Sequence, residues 1–326
     1  MKPFTYVRPP DARAAITAAG ASGASFLAGG TTLVDLMRLE VMSPSALVDL
    51  GQVPLAAIER SGDGLRIGAM AKNSDVATHA LVVERYPLLA QALLAGASQQ
   101  VRNMATVGGN LLQRTRCPYF RDPAVPCNKR TPGAGCSALD GYTRSHAILG
   151  TSASCIATHP SDMCVALAAL DAVVHTRHAG RDRAIPIADF HTLPGDHPEI
   201  ENALEHGELI THVELPPSPF AAHARYVKVR DRAAFAFALA AAAVGLDVAD
   251  GRIRGARVAL GGVATKPWRS LEAEQALVGQ APGRPAFERA AAAAIVDPRP
   301  RRDNAFKVGL AKRTIVRALE LAWGAP

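Results

Sequence analysis

The spacing of apolar positions changes repeatedly along the chain, and each change marks an element. Ser25-Phe26-Leu27-Ala28 is a short apolar run of strand type, Gly29-Gly30-Thr31-Thr32 interrupts it, and residues 33–37 resume with helical character. Residues 46–50 and 65–69 predict two more strands, and 74–78 a short helix. Across 87–97, Leu88, Ala92 and Ala95 recur at helical spacing with Leu89 and Leu93 beside them, which predicts a core helix. A second apolar helix is predicted over 163–170, entered through His159-Pro160-Ser161-Asp162, where Ser161 or Asp162 is placed to cap it. Residues 172–176 and 209–215 alternate as strands, and 180–183 turn between them and a polar loop.

Pro216-Pro217-Ser218-Pro219 ends the last of these strands and predicts a domain boundary, with a first domain over 1–217 and a second over 218–326. In the second domain, 224–230 reads as a strand with Lys228 alternating out of the core, and 233–244 as a helix. Asp250-Gly251 joins two alternating runs, 245–248 and 253–260, as a hairpin. Val308, Ala311, Ile315, Leu319 and Ala322 share one face of a closing helix. Strands and helices in segregated runs give an α+β class.

Two stretches combine a double glycine with hydroxyl and amide side chains. Gly29-Gly30 is followed by Thr31 and Thr32, one of which can cap the next helix; Gly108-Gly109 lies between Thr106 and Asn110. Glycine lets backbone approach a ligand closely, and the amides at a helix start favour an anion. Plain β-turn-α connections have the same appearance, so the first stretch alone leaves both readings open.

Composition narrows the function classes. The chain has 326 residues, 48% of them apolar, and a formal charge of +7 from 36 basic and 29 acidic side chains. The basic excess is modest and scattered, and aromatics are 5%, which argues against a nucleic-acid surface. The longest uncharged apolar run, 233–246, falls short of the ~20 residues that span a bilayer. No apolar stretch of signal-peptide type precedes the first prolines at the N-terminus. His191, His197, His206 and His212 lie in polar surroundings at spacings that match no ligand pattern, and they read as solvated.

The stretch 114–155 has no period at all and is rich in proline and glycine, yet it holds Cys117, Cys127, Cys136 and Cys155. Unstructured segments beyond about 12–15 residues inside a domain need a reason for being ordered, and metal ligation by four thiolates would supply one. The spacings fit no standard zinc or ferredoxin pattern, so zinc, iron and free thiols all remain open. Six basic residues (Arg114, Arg116, Arg121, Lys129, Arg130, Arg144) face two acids (Asp122, Asp140) here, an excess expected to favour a reduced, anionic centre or a partner surface. The fifth cysteine, Cys164, belongs to an apolar helix and reads as a small buried hydrophobe.

In order, AGGTTLVDL, ATVGGNLLQR, HPSDM, YVKVR, GGVATKPWR and DNAF resemble the FAD-binding medium subunit of the xanthine dehydrogenase family of molybdenum hydroxylases over nearly the whole chain. QRTRCPYFRD, CNKR, GCSALDG and LGTSASCIATHPSDM narrow the resemblance to the flavoprotein subunit of bacterial periplasmic aldehyde oxidoreductases, whose loop binds a [4Fe-4S] cluster. Thr31-Thr32 departs from the commoner Asn-Thr or Gly-Thr, and Cys164 is extra.

The resemblance implies a two-subdomain FAD-binding domain, interrupted by the cluster loop 114–156, and then an α+β domain. It implies that Phe26, Leu27, Ala28, Gly29, Gly30, Thr31, Thr32, Leu33 and Val34 hold the FAD pyrophosphate, with Thr106, Gly109 and Asn110 as a second wall. Asp162 with Ser161 would meet ribityl or ribose hydroxyls, and the Ile210 backbone and Lys228 would lie near the isoalloxazine. Cys117, Cys127, Cys136 and Cys155 would ligate the cluster. No side chain of this chain is expected to act as acid, base or nucleophile. The implied partners are a [2Fe-2S] small subunit, a molybdenum-cofactor large subunit and an external electron acceptor. The implied location is periplasmic, reached with a signal-bearing partner, or cytoplasmic without one. Two other readings use the same residues: a zinc-binding scaffold, and a stand-alone FAD oxidoreductase.

Overall fold

The computed structural model describes residues 1–324. Its strands form three sheets. The first is parallel, built from β1 (Thr5–Val7), β2 (Ala24–Leu27) and β3 (Ala46–Asp49) in the order β1-β3-β2, with the helices Ala12–Ala19 and Leu33–Arg38 as crossovers. The second is antiparallel: β4 (Ile58–Ser61), β5 (Gly64–Gly68), β6 (Val173–His178), β7 (Arg181–Pro186) and β8 (Leu209–Leu215), ordered β4-β5-β8-β6-β7. The third, also antiparallel, comprises β9 (Ala224–Val229), β10 (Ala240–Ala249), β11 (Arg252–Gly261) and β12 (Trp268–Arg269), ordered β12-β11-β10-β9.

Two large cores meet at the third sheet. The helices Pro87–Ala95 and Asp162–Ala169 pack between the second and third sheets in one core. The helices Leu271–Leu277, Arg284–Ala293 and Phe306–Trp323 pack on the third sheet's other face. Ala241 and Ala243 of β10 point into the first core, and Ala240, Ala242, Val244 and Leu246 into the second.

The turn read over 180–183 is confined to Ala179-Gly180, and Arg181 already opens β7. The two-core division explains a larger misassignment. Residues 233–244 do not form a helix: 230–239 is an irregular loop, and β10 begins at Ala240. As a central strand covered on both faces, β10 needs no polar residue on either side, so its alternation is invisible. The hairpin at Asp250-Gly251 forms as expected, with φ of 51° and 72°, the left-handed values a two-residue turn of this sequence favours. Ser161 caps the helix Asp162–Ala169 by accepting the Cys164 amide at 3.0 Å. Thr32 occupies the N-cap position of Leu33–Arg38 but makes no capping bond.

Candidate functional site

A cleft of about 760 Å³ opens between the parallel sheet, the two core helices and the third sheet. That volume is of the size that encloses a cofactor. Thr31 and Thr32 line it from the glycine turn after β2, with Asp35 one turn further on; Gly109 and Asn110 face them. The two glycine stretches touch. A Cβ on Gly29 would lie 2.0 Å from the Met104 carbonyl oxygen, and one on Gly109 would lie 4.0 Å from the Ala28 Cβ. Only glycine at position 29 lets the two strips approach this closely. Thr106 braces the second strip by accepting the Gly109 amide at 3.2 Å.

Across the cleft, Asp162 and Lys228 pair at 2.7 Å with side-chain exposures of 9% and 4%. Lys228 therefore does not alternate into solvent as its strand pattern predicts; it also donates to the Ala95 carbonyl at 3.1 Å. Tyr226, two residues earlier on the same face of β9, donates to the other Asp162 oxygen at 2.6 Å. Burial, and then the Asp162 charge, push the Tyr226 phenol well up, so it stays a neutral donor. Ser161 donates to Asn110 Oδ1 at 2.7 Å, tying the cap of one strip to the other.

Thr31, Thr32, Gly109, Asn110, Asp162 and Lys228 thus line one cleft. Ser161 and Thr106 support it from behind. Phe26, Leu27, Ala28, Gly29, Gly30, Leu33 and Val34 shape the turn without lining the cleft, and Ile210 is buried in β8 away from it. The loop 230–239, which the sequence hides inside its misassigned helix, supplies Arg232, Phe235 and Phe237 to the rim. Arg116 lies over the Phe237 ring at 5.0 Å.

The four loop cysteines line a second, far smaller cavity of about 10 Å³ with Phe120, Pro126 and Ala138. Cys127 and Cys136 face each other across an antiparallel bridge. Cys117 borders both this cavity and the cleft, so one thiol forms part of the wall between them. Burial pushes the Cys117 thiol up to about 12, opposed by amides of Phe120 and Tyr119 aimed at its sulfur. Cys155 is also raised by burial, against the charge of Lys129 and the Ala157 amide, which reaches its sulfur at 3.4 Å. Amides directed at sulfur favour thiolate. His146, which no spacing signals, brings Nε2 to 3.1 Å from Cys117 Sγ.

A zinc ion with bonds of about 2.3 Å would hold its sulfurs roughly 3.8 Å apart. Among the described residues, two groups bring three candidate ligand atoms within 4.8 Å of one another, and neither draws on these four cysteines. The four sulfurs are therefore not gathered as a single tetrahedral ion would hold them. As an all-thiolate donor set they suit a thiophilic metal, zinc or iron.

Five of the loop's six basic residues are paired with acids from outside it. Asp35 pairs with Arg116 at 3.1 Å and Arg121 at 2.7 Å; Glu201 pairs with Arg114 at 2.5 Å and Lys129 at 3.0 Å. Arg130 donates to the carbonyls of Tyr119, Phe120 and Val125, and Arg144 pairs with Asp231 at 2.7 Å. The neutralising acids lie outside the loop, where a local count misses them. His191 is also not solvated: it is 5% exposed and packs edge-on against Phe190. His197 and His206 are exposed, and His212 is partly buried against His175. Cys164 is fully buried, as expected, and its thiol is pushed up to about 12 by burial.

Residues 2–218 match the family described as FAD binding domain in molybdopterin dehydrogenase, and 225–322 match CO dehydrogenase flavoprotein C-terminal domain. The chain belongs to the FAD-binding medium subunits of the xanthine dehydrogenase family of molybdenum hydroxylases. Within that family it is 51% identical over 322 residues, 98% of each chain, to the aldehyde oxidoreductase FAD-binding subunit PaoB of Escherichia coli. It is 28% identical to the carbon monoxide dehydrogenase medium chain of Hydrogenophaga pseudoflava, over 98% of this chain and 97% of that one. A solved structure of the Hydrogenophaga pseudoflava enzyme superposes with a TM-score of 0.78 at 27% identity, covering 99% of this chain and 98% of that one. Quinoline 2-oxidoreductase from Pseudomonas putida 86 gives 0.76 at 27% identity, with coverage of 99% and 98%.

Proposed function

We propose that this chain is the electron-transfer subunit of a molybdenum-dependent aldehyde oxidoreductase and carries a [4Fe-4S] cluster in the loop 114–156 beside its FAD. The observation that carries the reading is the placement of Cys117, which borders both the cleft and the four-thiol cavity. The 51% identity to PaoB along the whole chain supports the aldehyde class. A [2Fe-2S] small subunit and a molybdenum-bearing large subunit would deliver the electrons, and an external acceptor would remove them. Export to the periplasm would follow a signal-bearing partner.

When bound, FAD supplies a carrier of two electrons and the cluster a carrier of one. The chain's own residues bind and orient. Residues 26–34 form the turn that would set the pyrophosphate end, with Thr31 and Thr32 facing the cleft and the Thr32 hydroxyl free of capping duty. Thr106, Gly109 and Asn110 form the opposing wall, and Ser161 fixes Asn110. Asp162 would meet hydroxyls of the cofactor chain, whereas Ile210, buried in β8 away from the cleft, has no direct part. Lys228, held by Asp162 at the cleft wall, would offer a cation to the negative charge a flavin gains on reduction. Cys117, Cys127, Cys136 and Cys155 would ligate the cluster, with amides of Tyr119, Phe120 and Ala157 easing the thiolate form.

Anaerobic purification of the complex with iron, sulfide and flavin counts, followed by EPR after reduction, tests the reading. A four-iron signal is expected from wild type and not from the Cys127→Ser/Cys136→Ser chain. Zinc in place of iron at the four cysteines would establish the scaffold reading instead.

A further inference from the structure

At the cleft wall, which His159 helps to line, three side chains assigned neither to FAD nor to the cluster meet. His159 precedes the helix Asp162–Ala169, Cys164 lies in its first turn, and His191 follows Phe190 across a small cavity. A nitrogen of each histidine and the Cys164 sulfur all lie within 4.8 Å of one another. The rings meet edge to face at 68°, with centroids 4.4 Å apart.

Each histidine is satisfied at one nitrogen and orphaned at the other. His191 Nε2 contacts the Leu111 carbonyl oxygen at 3.0 Å. A carbonyl only accepts, so this nitrogen carries the proton and Nδ1 presents a bare lone pair. That Nδ1 is buried with no partner, on a residue only 5% exposed. His159 Nδ1 receives the Ser161 amide at a long 3.4 Å, and its Nε2 is the other buried atom without a partner. Native interiors rarely leave such atoms unpaired, and an ion is one of the things that pairs them.

We propose that His159, His191 and Cys164 form a zinc site, distinct from the four-thiol loop and adjoining the FAD cleft. Two imidazoles and a thiolate form a donor set that zinc accepts, and no carboxylate belongs to the group to draw a hard cation instead. The Leu111 carbonyl behind His191 is the outer support that orients a metal-binding imidazole. Zinc bonds of about 2.0–2.3 Å require the three atoms to close by about 1 Å, which the broad ring torsion of histidine permits. Coordination moves the His159 proton to Nδ1, at the expense of only the long Ser161 contact, and releases the thiol proton of Cys164 to solvent. A cavity lined by His159, His191, Thr192, Glu201 and Asn202 gives access and can supply a water as fourth ligand. Its cation, Lys129, is held by Glu201.

The test is metal analysis of the anaerobically purified full-length protein. We expect zinc in addition to iron, near one equivalent per chain. Cys164→Ala and His191→Gln, the latter keeping a donor for Leu111, should each remove most of the zinc and leave iron unchanged. Cys127→Ser/Cys136→Ser should lose iron and keep zinc. Cobalt substitution of wild type should give a near-ultraviolet sulfur-to-cobalt band that Cys164→Ala abolishes; if a variant misfolds, this band in the iron-loaded wild type decides. Equal zinc in wild type and Cys164→Ala, zinc lost with the loop cysteines, or no band at one equivalent of cobalt would overturn the proposal.

Discussion

Asp162 uses both carboxylate oxygens inside the protein, one for Tyr226 and one for Lys228. Removing one partner of a buried ion pair strands the other, at about 3–5 kcal/mol. Lys228→Met should therefore lower stability by that order, measured by denaturant unfolding, whereas Lys228→Met/Asp162→Asn should recover most of it. Losses that simply add in the double variant would contradict the pairing. His212 makes a second residue-scale prediction. Burial, then the charges of His175 and Arg66, lower its pKa from 6.5 to about 4. Between those values the unfolded chain binds more protons than the folded one, so this group's contribution is complete above about 6.5 and is lost as pH falls toward 4. The Tm of His212→Gln should fall less steeply than that of wild type between those pH values. Parallel profiles would remove His212 from the account.

At the scale of elements, the contact between the two glycine strips is the cleft's most demanding feature. A Gly29→Ala side chain meets the Met104 backbone at 2.0 Å, and backbone on backbone has little room to yield. Overpacking of this kind costs about 1–3 kcal/mol, and here it parts the two walls. Flavin affinity should drop by roughly tenfold or more, about 1.4 kcal/mol per decade, as read by flavin retained through gel filtration; unchanged retention would show that the strips do not set the cleft. Both strips were legible in the sequence because glycine beside threonine is a local signal, and so were the Ser161 cap and the Asp-Gly hairpin. The course of β10 was not, because a strand buried on both faces loses its alternation. Tyr226 and Lys228 share a face two residues apart, a pattern the sequence contains, but their partner Asp162 is 64 residues from Tyr226 and only the fold brings it there. Similarly, Asp35 and Glu201 neutralise a loop from which they are remote in sequence.

For the whole molecule, the loop 114–156 and the FAD cleft share walls. Asp35 lines the cleft and holds Arg116 and Arg121 of the loop, and Cys117 faces both cavities. Ordering of the loop by a bound centre is thereby coupled to the shape of the cleft. Asp35→Asn, which keeps the side chain's size and releases the two arginines, should raise the fraction of chain purified without flavin while leaving the family fold intact by circular dichroism. A flavin content equal to wild type would separate the loop from the cleft.

The central claim is that the four loop thiols hold a cluster whose presence steadies FAD. The most direct measurement is iron and flavin content, side by side, of wild type and Cys127→Ser/Cys136→Ser purified anaerobically, with EPR after reduction. The account predicts a four-iron signal and full flavin in wild type, and loss of iron together with weakened flavin retention in the variant. A four-iron signal that survives the double substitution, or flavin retention untouched by loss of the iron, would contradict it.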